Sequence, residues 1–94
     1  MPYGRCAIYS FTGDAAELER KAKAEVVPLF KQQKGFIAYG TIIKDGQVIS
    51  MSAWESEEDA KAADAAVKKW VDNTSMKATN TYFGDFAWLE FAGQ

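Results

Sequence analysis

Histidine is absent from the sequence, and Cys6 is its one cysteine. A Ser-His-Asp or Cys-His nucleophile therefore cannot be assembled, and a zinc site would need carboxylates and a single thiol. Acid–base work would fall to Asp, Glu, Tyr or Lys groups with shifted pKa values. Tyr9, Tyr39 and Tyr82 lie in strand-like segments, and a buried phenol can orient a substrate phenol or carbonyl by hydrogen bonding. Trp54 and Trp70 could wall an apolar pocket, although packing with a locally satisfied indole N–H is the simpler account of each. Arg5 and Asp85 place charge in mid-strand, which is disfavoured unless the charge is paired. On one account Arg5 makes a cross-strand ion pair with Asp85 or Glu90; on the other the carboxylate is a base and Arg5 holds an anionic substrate. The catalytic candidates are thus Asp85 and Tyr9, and the substrate-binding candidates are Tyr39, Trp54, Trp70, Tyr82 and Arg5. Cys6 reads as packing, because nothing near it in sequence would stabilise a thiolate.

These residues must be positioned by six elements. Arg5 to Phe11 is β-rich and flanked by glycines, a first strand. Asp14 is a helix N-cap with Glu17 three residues on, as in a capping box. Leu18, Ala22, Val26, Leu29 and Phe30 then recur at helical spacing to about Gln33. Pro28 predicts a kink or restart near Glu25 to Val27, and Lys34-Gly35 supplies a C-terminal stop. Phe36 to Lys44 and Val48 to Glu55 form a hairpin around Asp45-Gly46, a type I′ turn pair. Ser56 caps a second helix whose stripe is Ala60, Ala63, Val67, Trp70 and Val71, with Asp64, Lys68, Lys69 and Asp72 towards water. The last strand spans about Thr79 to Phe91.

The order β-α-β-β-α-β predicts an α+β, ferredoxin-like antiparallel sheet with two helices on one face, in a single domain covering 1–94. Strands one and three should be central. A sheet with one wet face should alternate apolar and polar residues, but these strands do not. Phe36, Ala38 and Ile42 oppose Ile37, Tyr39 and Ile43; Val48 and Trp54 oppose Ile49, Met51 and Ala53. In the last strand Tyr82, Phe86 and Trp88 oppose Phe83, Ala87, Leu89 and Phe91. Two helices cover one face only, so a second copy of the sheet is the expected lid. The partner is then the chain itself, as a homodimer.

Bulk properties exclude other partners. Net charge is −2 and lysines and arginines are interleaved with acids, which argues against nucleic acid. No apolar run approaches a membrane span, no signal-peptide segment is visible, and a lone cysteine fits a reducing cytoplasm.

The stretch VPLFKQQKGF from Val27-Pro28 to Gly35-Phe36, followed by Tyr39-Gly40, resembles the dimeric α/β-barrel superfamily. So do the turn Asp45-Gly46 and the junction Ala53-Trp54-Glu55-Ser56-Glu57-Glu58-Asp59-Ala60. Within that superfamily the chain is similar to the antibiotic-biosynthesis-monooxygenase-like group. The resemblance implies paired sheets that form a barrel between subunits, helices outside, and a pocket between sheet and helices. It also implies a cofactor-independent monooxygenase acting on a small aromatic or quinol-type molecule, with no cofactor and no metal. The alternative is a non-catalytic homodimer that binds a small hydrophobic molecule or serves in assembly. An isomerase or dehydratase would suit the fold but has no residue signal. The haem-degrading branch is least similar: its histidine ligand is missing, and Ala60 to Ala66 has no counterpart of its tryptophan.

Overall fold

Segments rich in β-branched and aromatic residues become strands where a neighbour supplies the ladder bonds. In the computed structural model, which describes residues 2–92, the order is β1 (Tyr3–Ser10), α1 (Ala15–Lys31), β2 (Phe36–Lys44), β3 (Gln47–Trp54), α2 (Glu57–Val71) and β4 (Lys77–Asp85). The strands form one antiparallel sheet in the order β2-β3-β1-β4, so β1 and β3 are central. Asp45 and Gly46 take φ of 51° and 76°, the positive values that a type I′ turn needs to close the β2–β3 hairpin.

Both helices start as their caps dictate. The Asp14 carboxylate accepts from the Ala16 N–H at 3.0 Å, and Ser56 Oγ accepts from the Asp59 N–H at 3.1 Å. Glu17 does not close a capping box; its carboxylate accepts from Arg20 at 2.9 Å. The expected restart at Pro28 does not occur, and α1 runs unbroken through it. Val26 and Phe30 on either side of Pro28 are buried against the sheet, so packing holds the helical path despite the missing N–H. Gly35 (φ +79°) lies beyond the helix end, where a side chain would run into the Asp59 carboxylate. Its role is the close approach of the β2 entry to the first turn of α2.

Two strand expectations change. A register irregularity between Phe36 and Ala38 moves Phe36 opposite Trp54, onto the side of Tyr39 and Ile43 rather than that of Ala38 and Ile42. β4 ends at Asp85 instead of reaching Phe91, because its partner β1 begins at Tyr3. One last bond, Phe86 N–H to the Pro2 carbonyl at 3.0 Å, closes the ladder. The chain then turns across the helix-free face, where the Phe86 ring packs over Gly4.

The helix-facing side of the sheet holds the core. Ala7, Tyr9, Val48 and Trp54 pack against Val26 and Phe30 of α1 and Ala60, Ala63 and Val67 of α2. The Phe30 ring makes edge contacts with Tyr39 (4.6 Å between centroids) and Trp54 (5.4 Å). The indole N–H of Trp54 donates to Ser52 Oγ at 2.9 Å. On the helix-free side, Ile42, Met51 and Tyr82 remain exposed. Phe30 is the hub of the first side, so Phe30→Ala should cost about 3–5 kcal/mol of unfolding free energy, measured by urea denaturation.

Candidate functional site

Arg5 and Tyr9 are four residues apart on β1, with side chains on the helix-facing side and Ala7 between them. Their Cα atoms stand roughly 13 Å apart. Ala7 puts no bulk in that gap, so the long Arg5 side chain can lie along the strand. Its Nη2 donates to Tyr9 Oη at 2.7 Å and its Nε to Asp64 Oδ1 of α2 at 2.7 Å. Nη1 reaches Ser50 Oγ of β3 at 3.5 Å, and the guanidinium carbon sits 5.8 Å from the Phe30 ring centre. Arg5 is 2% exposed, and a buried charge needs acceptors of this kind.

The pairing differs from the sequence expectation. Arg5 meets Asp64 rather than Asp85 or Glu90, and Asp64 is half-buried rather than turned to water. The reason is position along the strands. Arg5 faces Phe83 across the β1–β4 ladder, whereas Asp85 is opposite Tyr3 at the end of the sheet.

Tyr9 lies on the wall of a cavity between the sheet and both helices. Tyr39, Ile43, Val48, Leu18, Val67 and Trp70 also line it, with Thr41 and Ser50 as its other polar groups. Its volume is about 20 Å³, room for roughly one water. The Trp70 indole N–H donates to the Glu25 carboxylate at 2.9 Å and so ties α2 to α1 beside the cavity. Behind Tyr9, between α2 and β4, lies an open hollow of about 410 Å³ bordered by Asp64, Lys68, Asp72 and Lys77.

Burial raises the pKa of the Tyr9 phenol, and the nearby Arg5 charge only partly offsets this. Tyr9 is therefore a neutral phenol at neutral pH. Its oxygen accepts from Arg5, and its own proton meets no acceptor among the described residues. That proton is available to a group entering the cavity.

The candidate residues do not form one cluster. Tyr9, Tyr39 and Trp70 converge on the inner cavity, with Arg5 bonded to Tyr9. Trp54 is fully buried among Phe30, Phe36 and Ser52 and does not line the cavity. Tyr82 and Asp85 border a separate hollow of about 320 Å³ that also touches Gly4, Cys6 and Phe86. Tyr82 pairs with Cys6, which puts it on the helix-free face. Asp64 and Ser50 were missed. Ser50 and Ser52 alternate with apolar Ile49 and Met51 on β3; two hydroxyls on a core-facing strand side are the signal that a buried polar group lies opposite.

Among the described residues no cluster of three His, Cys, Asp or Glu could hold a metal, and no helix is long and apolar enough to cross a membrane.

Tyr9→Phe should lower stability at neutral pH and flatten its alkaline decline. At neutral pH it removes an acceptor from Arg5 and lowers stability. A pKa raised in the folded state gives a contribution that is full below the ordinary tyrosine value of about 10. That contribution is lost as pH rises through the raised folded value. Without Tyr9 the alkaline decline should therefore be shallower, as read from urea midpoints at a series of pH values.

No family model and no curated protein sequence matches this chain. Solved structures do. SnoaB of Streptomyces nogalater, a cofactor-independent oxygenase, is similar over 99% of this chain and 98% of its own, at 14% identity and a TM-score of 0.67. A Chloroflexus aurantiacus protein described as a candidate antibiotic biosynthesis monooxygenase matches over 99% and 100%, at 14% identity and a TM-score of 0.71. A dimeric ferredoxin-like protein from an uncultured marine organism matches over 95% and 98%, at 10% identity and a TM-score of 0.69. The chain thus has a ferredoxin-like βαββαβ fold, similar to that of these solved structures.

Proposed function

We propose that this protein is a homodimer that takes a small aromatic molecule into the cavity between helices and sheet and oxygenates it without a cofactor. The observation that carries this is the Arg5–Tyr9 pair. It presents one neutral phenol proton, backed by a buried cation, on an otherwise apolar and aromatic wall. Such a donor stabilises negative charge that develops on a substrate oxygen as the ring system ionises. An ionised, electron-rich ring can then supply the electrons itself. Conversion of a ring CH₂ beside a conjugated carbonyl to C=O consumes one O₂ and releases one water. The fold shared with a cofactor-independent oxygenase supports the same assignment.

Dimerisation is supported by the exposed apolar residues of the helix-free face. Ile42, Met51 and Tyr82 are 51%, 46% and 58% exposed, and Trp88 beyond β4 is 77% exposed. A similar fold is dimeric in the marine protein. Light scattering at micromolar concentration should give a mass near twice 10.4 kDa; a monomer mass would refute the dimer.

A second function has its own support. The inner cavity is lined by no carboxylate, ammonium or guanidinium among the described residues, only by phenols and hydroxyls as polar groups. A binding protein needs no base, so a non-catalytic carrier of an aromatic metabolite fits this wall. Oxygen uptake separates the two. Chelator-treated protein with anthrones and hydroquinones should consume O₂ above the spontaneous rate, and Tyr9→Phe should lower that turnover about 10²-fold. Asp85→Asn, at the end of β4 opposite Tyr3 and outside the cavity lining, should leave it unchanged. Binding by equilibrium dialysis with no uptake above background would favour the carrier.

A further inference from the structure

The Arg5 guanidinium has two close partners of different kinds. Its Nη2 donates to the neutral Tyr9 phenol and its Nε to the Asp64 carboxylate, each at 2.7 Å. Tyr9 lines the inner cavity. Asp64 does not; it borders the hollow between α2 and β4, with its side chain 33% exposed. A guanidinium as buried as Arg5 acts strongly on its neighbours, because little water screens it. Set against a phenol alone, it would favour the phenolate. A phenolate has no proton to give, and it would repel an oxyanion developing on a substrate.

Asp64 supplies the opposite charge at Nε. Burial is the main reason that the Tyr9 pKa lies above its ordinary value; Arg5 pulls it down, and the Asp64 charge pushes it back up. The other charged or titratable groups around Tyr9 are few. Lys68 and Asp72 of α2 and Lys77 of β4 border the same hollow, and Tyr39 of β2 lines the same cavity. Among the described residues, α1 and β3 present no charged side chain to either space. We infer that Asp64 is a positioning residue for the Tyr9 donor, acting through Arg5: it aims the guanidinium at the phenol and balances its charge, so that Tyr9 meets a ligand as a neutral phenol. This rests on the ligand-binding function proposed above. The carboxylate neither lines the cavity nor bonds Tyr9, so a ligand meets its effect only through Arg5.

The test follows the Tyr9 phenol in the full, ligand-free chain by carbon NMR with tyrosine labelled at Cζ. The Tyr9 signal is the one missing from Tyr9→Phe. Asp64→Asn keeps an acceptor for Nε but removes the charge, and should lower the Tyr9 ionisation midpoint by about one pH unit. Asp64→Ser, which lets water from the hollow reach the guanidinium, deletes the charge in a second way and should lower it too. Asp64→Glu keeps the charge and should hold the midpoint near that of the parent chain. Asp72 borders the same hollow without a bond to Arg5, so Asp72→Asn should move the midpoint far less. An unchanged midpoint in a folded Asp64→Asn or Asp64→Ser chain, or an equal fall from Asp72→Asn, would overturn the role. So would loss of the fold in both Asp64 variants, which would make the carboxylate a need of the core alone. Oxygen uptake separates this role from the function above. A lowered midpoint together with an alkaline limit of uptake that falls in step supports both. A lowered midpoint in a protein whose parent chain neither takes up oxygen nor binds anthrones or hydroquinones would overturn that function and leave the control of Tyr9 by Asp64 standing.

Discussion

A guanidinium that is 2% exposed has to find its acceptors inside the fold, and Arg5 draws them from three elements. Tyr9 comes from the same strand, Ser50 from the neighbouring strand and Asp64 from a helix 59 residues away in sequence. The requirement fixes α2 over β1 in one rotational setting, since a small turn of the helix would remove the Asp64 carboxylate and strand a buried charge. It also explains the small residue at position 7 and the hydroxyls on β3, which would be poor choices for a purely apolar core. The aromatic layer of Phe30, Tyr39 and Trp54 then packs around this polar centre, with Phe30 beneath the guanidinium.

The sheet is built differently on its two sides. Arg5, Ala7 and Tyr9 on β1 face the helices, while Gly4, Cys6 and Ile8 face away. One row on the second face, Gly84, Gly4, Ala53 and Ala38, crosses all four strands with no bulk beyond a methyl. Phe86 and Leu89 sit beside this row after the chain leaves β4. The residues with reactive or polar side chains thus fall into two groups that cannot meet through the sheet.

Much of the frame was legible from sequence. Local chemistry specifies Asp14 and Ser56 as caps, Asp45-Gly46 as the turn, and the order of six elements. The strand order follows from chain handedness. What escaped depends on contacts between distant segments. Helical periodicity puts Asp64 beside the apolar stripe, and only the docking of α2 over Arg5 turns it inward. Pro28 predicts a kink or restart by its own chemistry, and with Val26 and Phe30 buried α1 continues through it without a restart. The end of β4 is set by where β1 begins, not by the apolar run from Phe86 to Phe91. For the site, Tyr9 and Tyr39 could be named but not separated from Tyr82, because one residue of register decides which face each occupies. The pairs Arg5 with Phe83 and Cys6 with Tyr82 settle that parity.

A cavity with room for about one water has a thermodynamic consequence for any ring that occupies it. An apolar cavity of roughly 150 Å³ binds benzene, against about 20 Å³ here, so under the proposed function the accommodating conformer is a minority species of the free protein. The measured dissociation constant is then the intrinsic one divided by the fraction of molecules in that conformer. A ligand that fits the widened space well can still register as a weak binder. A substitution that merely raises the population of wide conformers would tighten apparent binding without adding a single contact.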